Sequence, residues 1–346
     1  DWEHTMRLSA LFRRRNPDEH GSNRYVLSIR MTGLGDRLIC LGAAWLFARN
    51  TGRTLVADWR YGAYAQGDKN DLFASCFEPL LELAGVAFVG DDRVASLRLP
   101  RPRYPTFWND NALLTAPYRR PGGSIIADRD AAVALIRAGN DVAAPTVVFD
   151  ACVNDGLVSL ADSRTFLSAL RPAADVTRQV AAFREEYLGA GRMIGLHIRH
   201  GNGARTGHAP YWHAFEESID RCARAVQVAR ERVGKDSPIL LCTDSAEVES
   251  AIRQHVSGVI TRGKAFRPPG EGELHLWGEG DGVRDDAMVE MLLLAKSSAL
   301  IRYPPGSFFT FYASVMRRWQ SPPPPTVYDL QRPYDPHDPL SPALLV

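Results

Sequence analysis

The stretch from Met193 to Gly203, MIGLHIRHGNG, constrains the fold more than any other. Met193 to Ile198 is a short apolar run, which reads as a buried strand. It ends in Arg199 and His200, followed by Gly201-Asn202-Gly203. In open α/β sheets, ligands sit just past the carboxyl ends of the strands. Glycines at such an end allow positive φ and a close backbone approach. Arg199 has a fixed charge on a planar fork that suits phosphate oxygens. Two readings follow: a strand that delivers an arginine to an anionic group, or a strand closed by an ordinary turn with Arg199 in a surface ion pair.

The rest of the chain alternates in the same way. Apolar runs at 25–30, 54–59 and 146–150 read as strands of a first half. Those at 193–199, 239–244, 258–260 and 299–303 read as strands of a second. Helical patterning covers the residues after Gly35, 128–138, 163–191 (broken at Arg171-Pro172), 213–233, 246–254, 285–296 and 307–318. Strands alternating with helices predict parallel sheets. At 346 residues the chain is long for one core. We expect an arm at 1–22, one β/α domain at 23–180, a second at 181–320, and a Pro-rich extended tail at 321–346. The region 61–125 reads as long aromatic-polar loops, with Tyr61, Tyr64, Tyr104, Phe107, Trp108, Asn109 and Tyr118 as packed aromatics or as acceptor contacts.

The net charge of +1 excludes bulk attraction to nucleic acid or a membrane surface, so an anionic ligand needs a local cluster. No apolar run reaches the length of a membrane span. The five cysteines are scattered and lack CxxC spacing. They predict neither a disulfide framework nor a structural zinc site, and suit a reducing, cytoplasmic setting. There is no DxD motif and no His/Cys cluster with ligand spacing, so no metal is expected.

Three strand ends of the second half could meet one ligand. The first is Arg199 with His200 and the glycine loop. In the second, Cys242-Thr243-Asp244-Ser245, Asp244 either caps a helix starting near Ala246 or accepts two N–H bonds from a guanine edge. In the third, Tyr303-Pro304-Pro305-Gly306-Ser307-Phe308, a rigid turn leads to Ser307, which is a helix cap, a phosphate contact or both. In the first half, Thr32-Gly33-Leu34-Gly35-Asp36-Arg37-Leu38 joins a strand to a helix. It lacks the third glycine of GxGxxG and is weak as a dinucleotide signature.

The segment His197-Ile198-Arg199-His200-Gly201-Asn202-Gly203, with His208-Ala209-Pro210-Tyr211-Trp212 after it, resembles the phosphate motif of GDP-fucose-dependent α-1,6-fucosyltransferases, most closely the rhizobial branch. The blocks Thr32 to Leu38 with Thr51 to Leu55 and Asp58 to Arg60, Gly195 to Trp212, Cys242 to Ser245, and Ile301 to Ala313 resemble that branch in order, over most of 24–315. The resemblance implies the α/β GT-B fold: two Rossmann-like domains facing across a cleft, with the sugar nucleotide on the C-terminal side and the acceptor on the N-terminal side. It implies that Arg199 holds the β-phosphate, that Asp244 reads guanine, and that Ser307 with Gly306, Phe308 and the helix start holds phosphate. His197, His200, Asn202, Ser245 and His275 would line the donor site, and Gly33, Gly35, Asp36 and Arg37 would approach it across the cleft.

The sequence departs from that branch at Ala204-Arg205-Thr206-Gly207, where acidic residues are expected after the glycine loop. A base must then come from elsewhere. Glu290, Asp286 and His208 are the candidates, with Asp36 and Asp58 next. The implied function is inverting transfer of fucose from GDP-fucose, the donor substrate, to an oligosaccharide hydroxyl, with no cofactor. The alternatives are another GDP-sugar or linkage on the same architecture, or a silent nucleotide or sugar binder.

Overall fold

The computed structural model describes residues 24–64, 72–109, 124–153, 157–187, 191–201, 215–268, 281–303, 307–317 and 343–345. The expected arm at 1–22, Tyr118, Asn202, His208, His275, Gly306 and the loop 204–207 lie outside these residues.

Two sheets organise the molecule. The first contains β1 (Tyr25–Ser28), β2 (Thr54–Ala57), β3 (Glu82–Leu83), β4 (Val86–Val89), β5 (Arg103–Tyr104) and β6 (Thr146–Phe149), in the order β3-β4-β2-β1-β6-β5. All its pairings are parallel except β3 with β4. Its helices are α1 (Leu34–Thr51), α2 (Leu72–Cys76), α3 (Ser124–Ala138), α4 (Leu160–Ala169) and α5 (Ala174–Tyr187). The second sheet contains β7 (Ile194–Ile198), β8 (Ile239–Thr243), β9 (Val259–Ile260), β10 (Ala299–Tyr303) and β11 (Ala343–Leu345), in the order β11-β10-β7-β8-β9. Its helices are α6 (Phe215–Val233), α7 (Ala246–His255), α8 (Asp281–Ala295) and α9 (Phe311–Arg317). This is the expected pair of Rossmann-like sheets.

The central strands are buried on both faces, which is why each reads as a near-continuous apolar run. The pleat then sends alternate residues to different cores. Leu240, Cys242 and Leu300 face inward between the sheets, while Ile239, Leu241 and Ile301 pack under α6 and α7. In the first sheet Val26 and Leu55 face α1, and Leu27, Val56 and Val148 face Trp108. Helix α1 is buried almost all round, as its apolar sequence requires.

One apolar core runs through both halves. It passes from Val26 and Phe149 through Met288, Leu292 and Tyr312 to Leu240. Helix α8 packs against α5 and α2, and α9 packs against α4 and α1. The tightest crossing is at Gly35, where a β-carbon would lie 2.1 Å from the carbonyl oxygen of Phe308.

Three boundaries differ from the sequence reading. The span 61–125 is not all loop: it holds α2 and three short strands, and Val86–Val89 pairs in parallel with β2. Helix α8 begins at Asp281 rather than 285, so Asp286 sits in its second turn. In the tail, Ala343–Leu345 pairs antiparallel with β10. Among the described residues, no helix is long and apolar enough to cross a membrane.

Gly35→Ala drives a methyl into a backbone oxygen that no rotamer change can clear. We expect a loss of about 1–3 kcal/mol or more, measured by urea unfolding. Unchanged stability would show that the two halves are not seated this closely.

Candidate active site

The carboxyl ends of β7 and β8 open into a cleft lined by His197, Arg199, Cys242, Thr243 and Asp244. Lys264, Asp286, Ala287, Glu290 and Phe309 complete the C-terminal wall, and Tyr64 closes it from the other half. Its empty volume, open mouth included, is about 560 Å³. Ligand clefts commonly span about 300–1,000 Å³.

Strand pairing fixes Arg199, whose N–H donates to the carbonyl of Tyr303 at 2.8 Å. The next two amides belong to Asp244. His200 N–H donates to one carboxylate oxygen at 2.8 Å and Gly201 N–H to the other at 2.9 Å. Asp244 therefore holds the loop after β7 in place, and it does not cap α7. That cap is Ser245, whose hydroxyl accepts from Val248 N–H. Ser245 was expected at the donor; it is buried and serves the helix instead. The His200 ring meets Phe215 edge-on at 5.7 Å.

His197 lies inside the cleft, stacked on Phe309 with centroids 5.0 Å apart. Burial pulls its pKa down to about 3, and the cations Arg199, Lys264 and Arg302 push the same way. It is a neutral imidazole at ordinary pH, and its Nδ1 is buried without a hydrogen-bond partner. Ser307 makes no side-chain cap bond, and its Oγ is also buried without a partner. Phe308 was expected at the donor, but its carbonyl faces Gly35; the turn 308–310 brings Phe309 into the cleft instead.

Two cations missing from the sequence reading stand over α8. Lys264 Nζ meets Glu290 Oε1 at 2.7 Å, and Arg262 meets Asp286 Oδ1 at 2.7 Å. Arg262 also donates to Gln179 Oε1 on α5 at 3.0 Å. Residues 262 and 264 are two apart on the loop after β9, and 286 and 290 are one helical turn apart, so each cation meets its own acid along α8. That spacing of two cations against two acids was the available sequence signal. Burial lowers Lys264, but Glu290, Cys242 and Asp244 outweigh it and leave the ammonium above its ordinary value. Burial pushes Glu290 up, opposed by Lys264. The two carboxylates among the three proposed bases, Glu290 and Asp286, thus already hold a cation, and the third, His208, lies outside the described residues.

The first-half residues are redistributed. Arg37 was expected to face the donor; its side chain is fully buried. Its guanidinium donates to the carbonyls of Thr32 (2.9 Å), Trp59 (3.4 Å), Tyr61 (2.6 Å) and Ala63 (3.0 Å). Gly33 accepts the Arg37 N–H at the start of α1, and Gly35 is committed to the Phe308 contact. Asp36 accepts from the Cys152 thiol. Asp58 is buried and holds Arg60 through both oxygens. Of the loop aromatics, Tyr64 reaches the cleft, whereas Trp108 is buried and donates to Asp128. Among the described residues, no three His, Cys, Asp or Glu side chains are grouped to hold a metal.

Lys264→Met strands a buried carboxylate, and losing one partner of a buried pair typically costs about 3–5 kcal/mol. We expect that loss in chemical denaturation, with most of it recovered in Lys264→Met/Glu290→Met. If the single variant is as stable as wild type, the pair is not a structural fastener.

The model of the nodulation protein Z family matches residues 22–320. The chain is 37% identical to nodulation protein Z of Sinorhizobium fredii (strain NBRC 101917 / NGR234) over 295 residues, which is 85% of this chain and 91% of that protein. It is 36% identical to nodulation protein Z of Bradyrhizobium diazoefficiens over 297 residues, 85% of this chain and 79% of that protein. It is also similar to a crystal structure of NodZ α-1,6-fucosyltransferase soaked with GDP-fucose, with TM-score 0.70 and 32% identity, covering 85% of this chain and 92% of that one. Covering strands β1 to β10 and the residues that line the cleft, these matches show that the chain belongs to the nodulation protein Z family.

Proposed function

We propose that this chain transfers fucose from GDP-fucose to a hydroxyl of an oligosaccharide, with inversion at the anomeric carbon. The acceptor we favour is a chitooligosaccharide-like glycan, with the α-1,6 linkage to GlcNAc. The observation that carries the reading is Arg199, which ends the central strand inside the cleft. Family membership and the GDP-fucose soak of the similar enzyme supply the donor.

As the bond to fucose breaks, negative charge collects on the β-phosphate and the anomeric carbon becomes oxocarbenium-like. A guanidinium carried on a pinned strand end beside that phosphate stabilises the charge with little reorganisation. Ser307 Oγ, buried and lacking a partner, supports a second contact to phosphate. His197, neutral and stacked, suits a nucleotide wall that carries no extra charge. Guanine offers N1–H and N2–H₂ to a carboxylate, and three cleft acids, Asp244, Asp286 and Glu290, present one. Asp244 already gives each oxygen to a backbone amide, whereas Glu290 gives Oε1 to Lys264. Glu290 also keeps the better claim to the base among the described acids, since burial raises its proton affinity. None of the five cysteines is in a disulfide, which fits a cytoplasmic enzyme.

Arg199→Lys replaces a fork by a point charge. We expect it to lose on the order of 100-fold in transfer rate from GDP-fucose to chitooligosaccharides while remaining folded. Near-normal turnover would remove Arg199 from the mechanism. The charge is met by protein groups, so the wild-type enzyme should keep its activity after dialysis against EDTA. Activity that vanishes and returns with Mg²⁺ or Mn²⁺ would refute this. GDP binding with no turnover on any glycan would favour the silent binder.

A further inference from the structure

Among the described cleft residues, Tyr64 alone comes from the N-terminal half, and it sits at a strained backbone position. Its φ is 68°, a left-handed conformation that is a genuine outlier for a bulky aromatic. Such strain persists only where the surroundings enforce it, and it clusters at functional sites. Here the enforcement is visible. Arg37 grips the carbonyls of Trp59, Tyr61 and Ala63. Ala63 N–H donates to the carbonyl of Met31 at 2.7 Å. Gly62, at φ 89°, passes so close to Met31 that a β-carbon would lie 2.2 Å from its carbonyl oxygen.

Tyr64 as a whole is 8% exposed, and the N–H of Leu34, the first residue of α1, acts on its phenol oxygen as a hydrogen-bond donor. From the other half, Arg199 acts on it electrostatically. Tyr64 and Arg199 thus line the same cleft from opposite halves, and the start of α1 and the guanidinium both act on the phenol, a setting that favours an anion. Burial keeps the phenol protonated against the pull of Arg199 and Arg37, so it is a neutral O–H donor.

We propose that Tyr64 donates a hydrogen bond to the β-phosphate of the nucleotide, opposite Arg199, so that both halves of the chain hold the leaving group. This rests on the reading of Arg199 as a ligand of that phosphate. It gives the strained turn a purpose: the turn is rigid so that the hydroxyl does not have to reorganise as charge develops.

The test compares calorimetric binding of GDP and of GMP, which lacks the β-phosphate, to wild type, Tyr64→Phe, Tyr64→Asn and Arg199→Lys. Tyr64→Phe should weaken GDP by about 10-fold or more, the usual worth of a hydrogen bond to a charged group. It should leave GMP within about twofold. Asparagine tolerates the left-handed conformation, so Tyr64→Asn should keep the turn and fold, melting lower for the buried ring it loses, and should lose the same discrimination. Wild type that binds GDP no better than GMP would overturn the Arg199 reading itself. If Arg199→Lys lowers the GDP preference while both Tyr64 variants keep it, the Tyr64 proposal alone falls. Equal weakening of GDP and GMP by the Tyr64 variants would mark a structural role and overturn it as well.

Discussion

The cleft depends on one buried cation. Arg37 lies in the first turn of α1, where the helix dipole is unfavourable to positive charge. Burying a lone guanidinium would cost several kcal/mol or more. Four carbonyls, from Thr32, Trp59, Tyr61 and Ala63, offset that cost. The same bonds tie the end of the first β/α turn to the segment after β2. They fix the path of residues 59–64 and so fix the wall that faces Arg199. A residue that reads as a ligand contact in the sequence is thus the support behind one.

On the opposite wall, charge is fastened in the same spirit. The loop 261–268 is held to α8 by Arg262 on Asp286 and Lys264 on Glu290. Arg262 also reaches Gln179 on α5, so the fastening crosses into the helix that leads from the first half. Asp244 does the equivalent for the turn after β7 by taking two consecutive amides. The cleft acids Asp244, Asp286 and Glu290 and the cations Arg262 and Lys264 each have their orientation set by a second group, which is what electrostatic preorganisation requires.

How much of this was legible follows from the physics of each element. The parallel strands could be read because strands buried on both faces are short unbroken apolar runs, as in Ile239 to Thr243. Strands β3 and β5, two residues each, leave no periodicity to detect. Arg199 stood out because a strand end beside glycines is a local pattern. Gly35 and Arg37 were misplaced because a glycine that admits a ligand and one that admits another backbone look alike in sequence. What decided between them is Phe308, 273 positions away in the chain. Lys264 was missed because its meaning lies in Glu290, and Phe309 because a 3₁₀ turn exchanges which neighbour faces inward.

The distribution of charge says where this site invests. Burial, with the cations Arg199, Lys264 and Arg302 pushing the same way, keeps His197 neutral, and each acid lining the cleft is already engaged. A cleft so arranged is built for an anion that arrives doubly charged and leaves with more. Its described acids are each already held by a cation or by backbone amides, and only Glu290 among them is raised toward proton uptake, by burial, so a single described proton acceptor stands against several cations. The geometry therefore favours departure of the nucleotide over deprotonation of the acceptor. A late, loosely assisted proton transfer suits an oxocarbenium-like transition state, in which the carbon is already cationic before the acceptor oxygen must give up its proton.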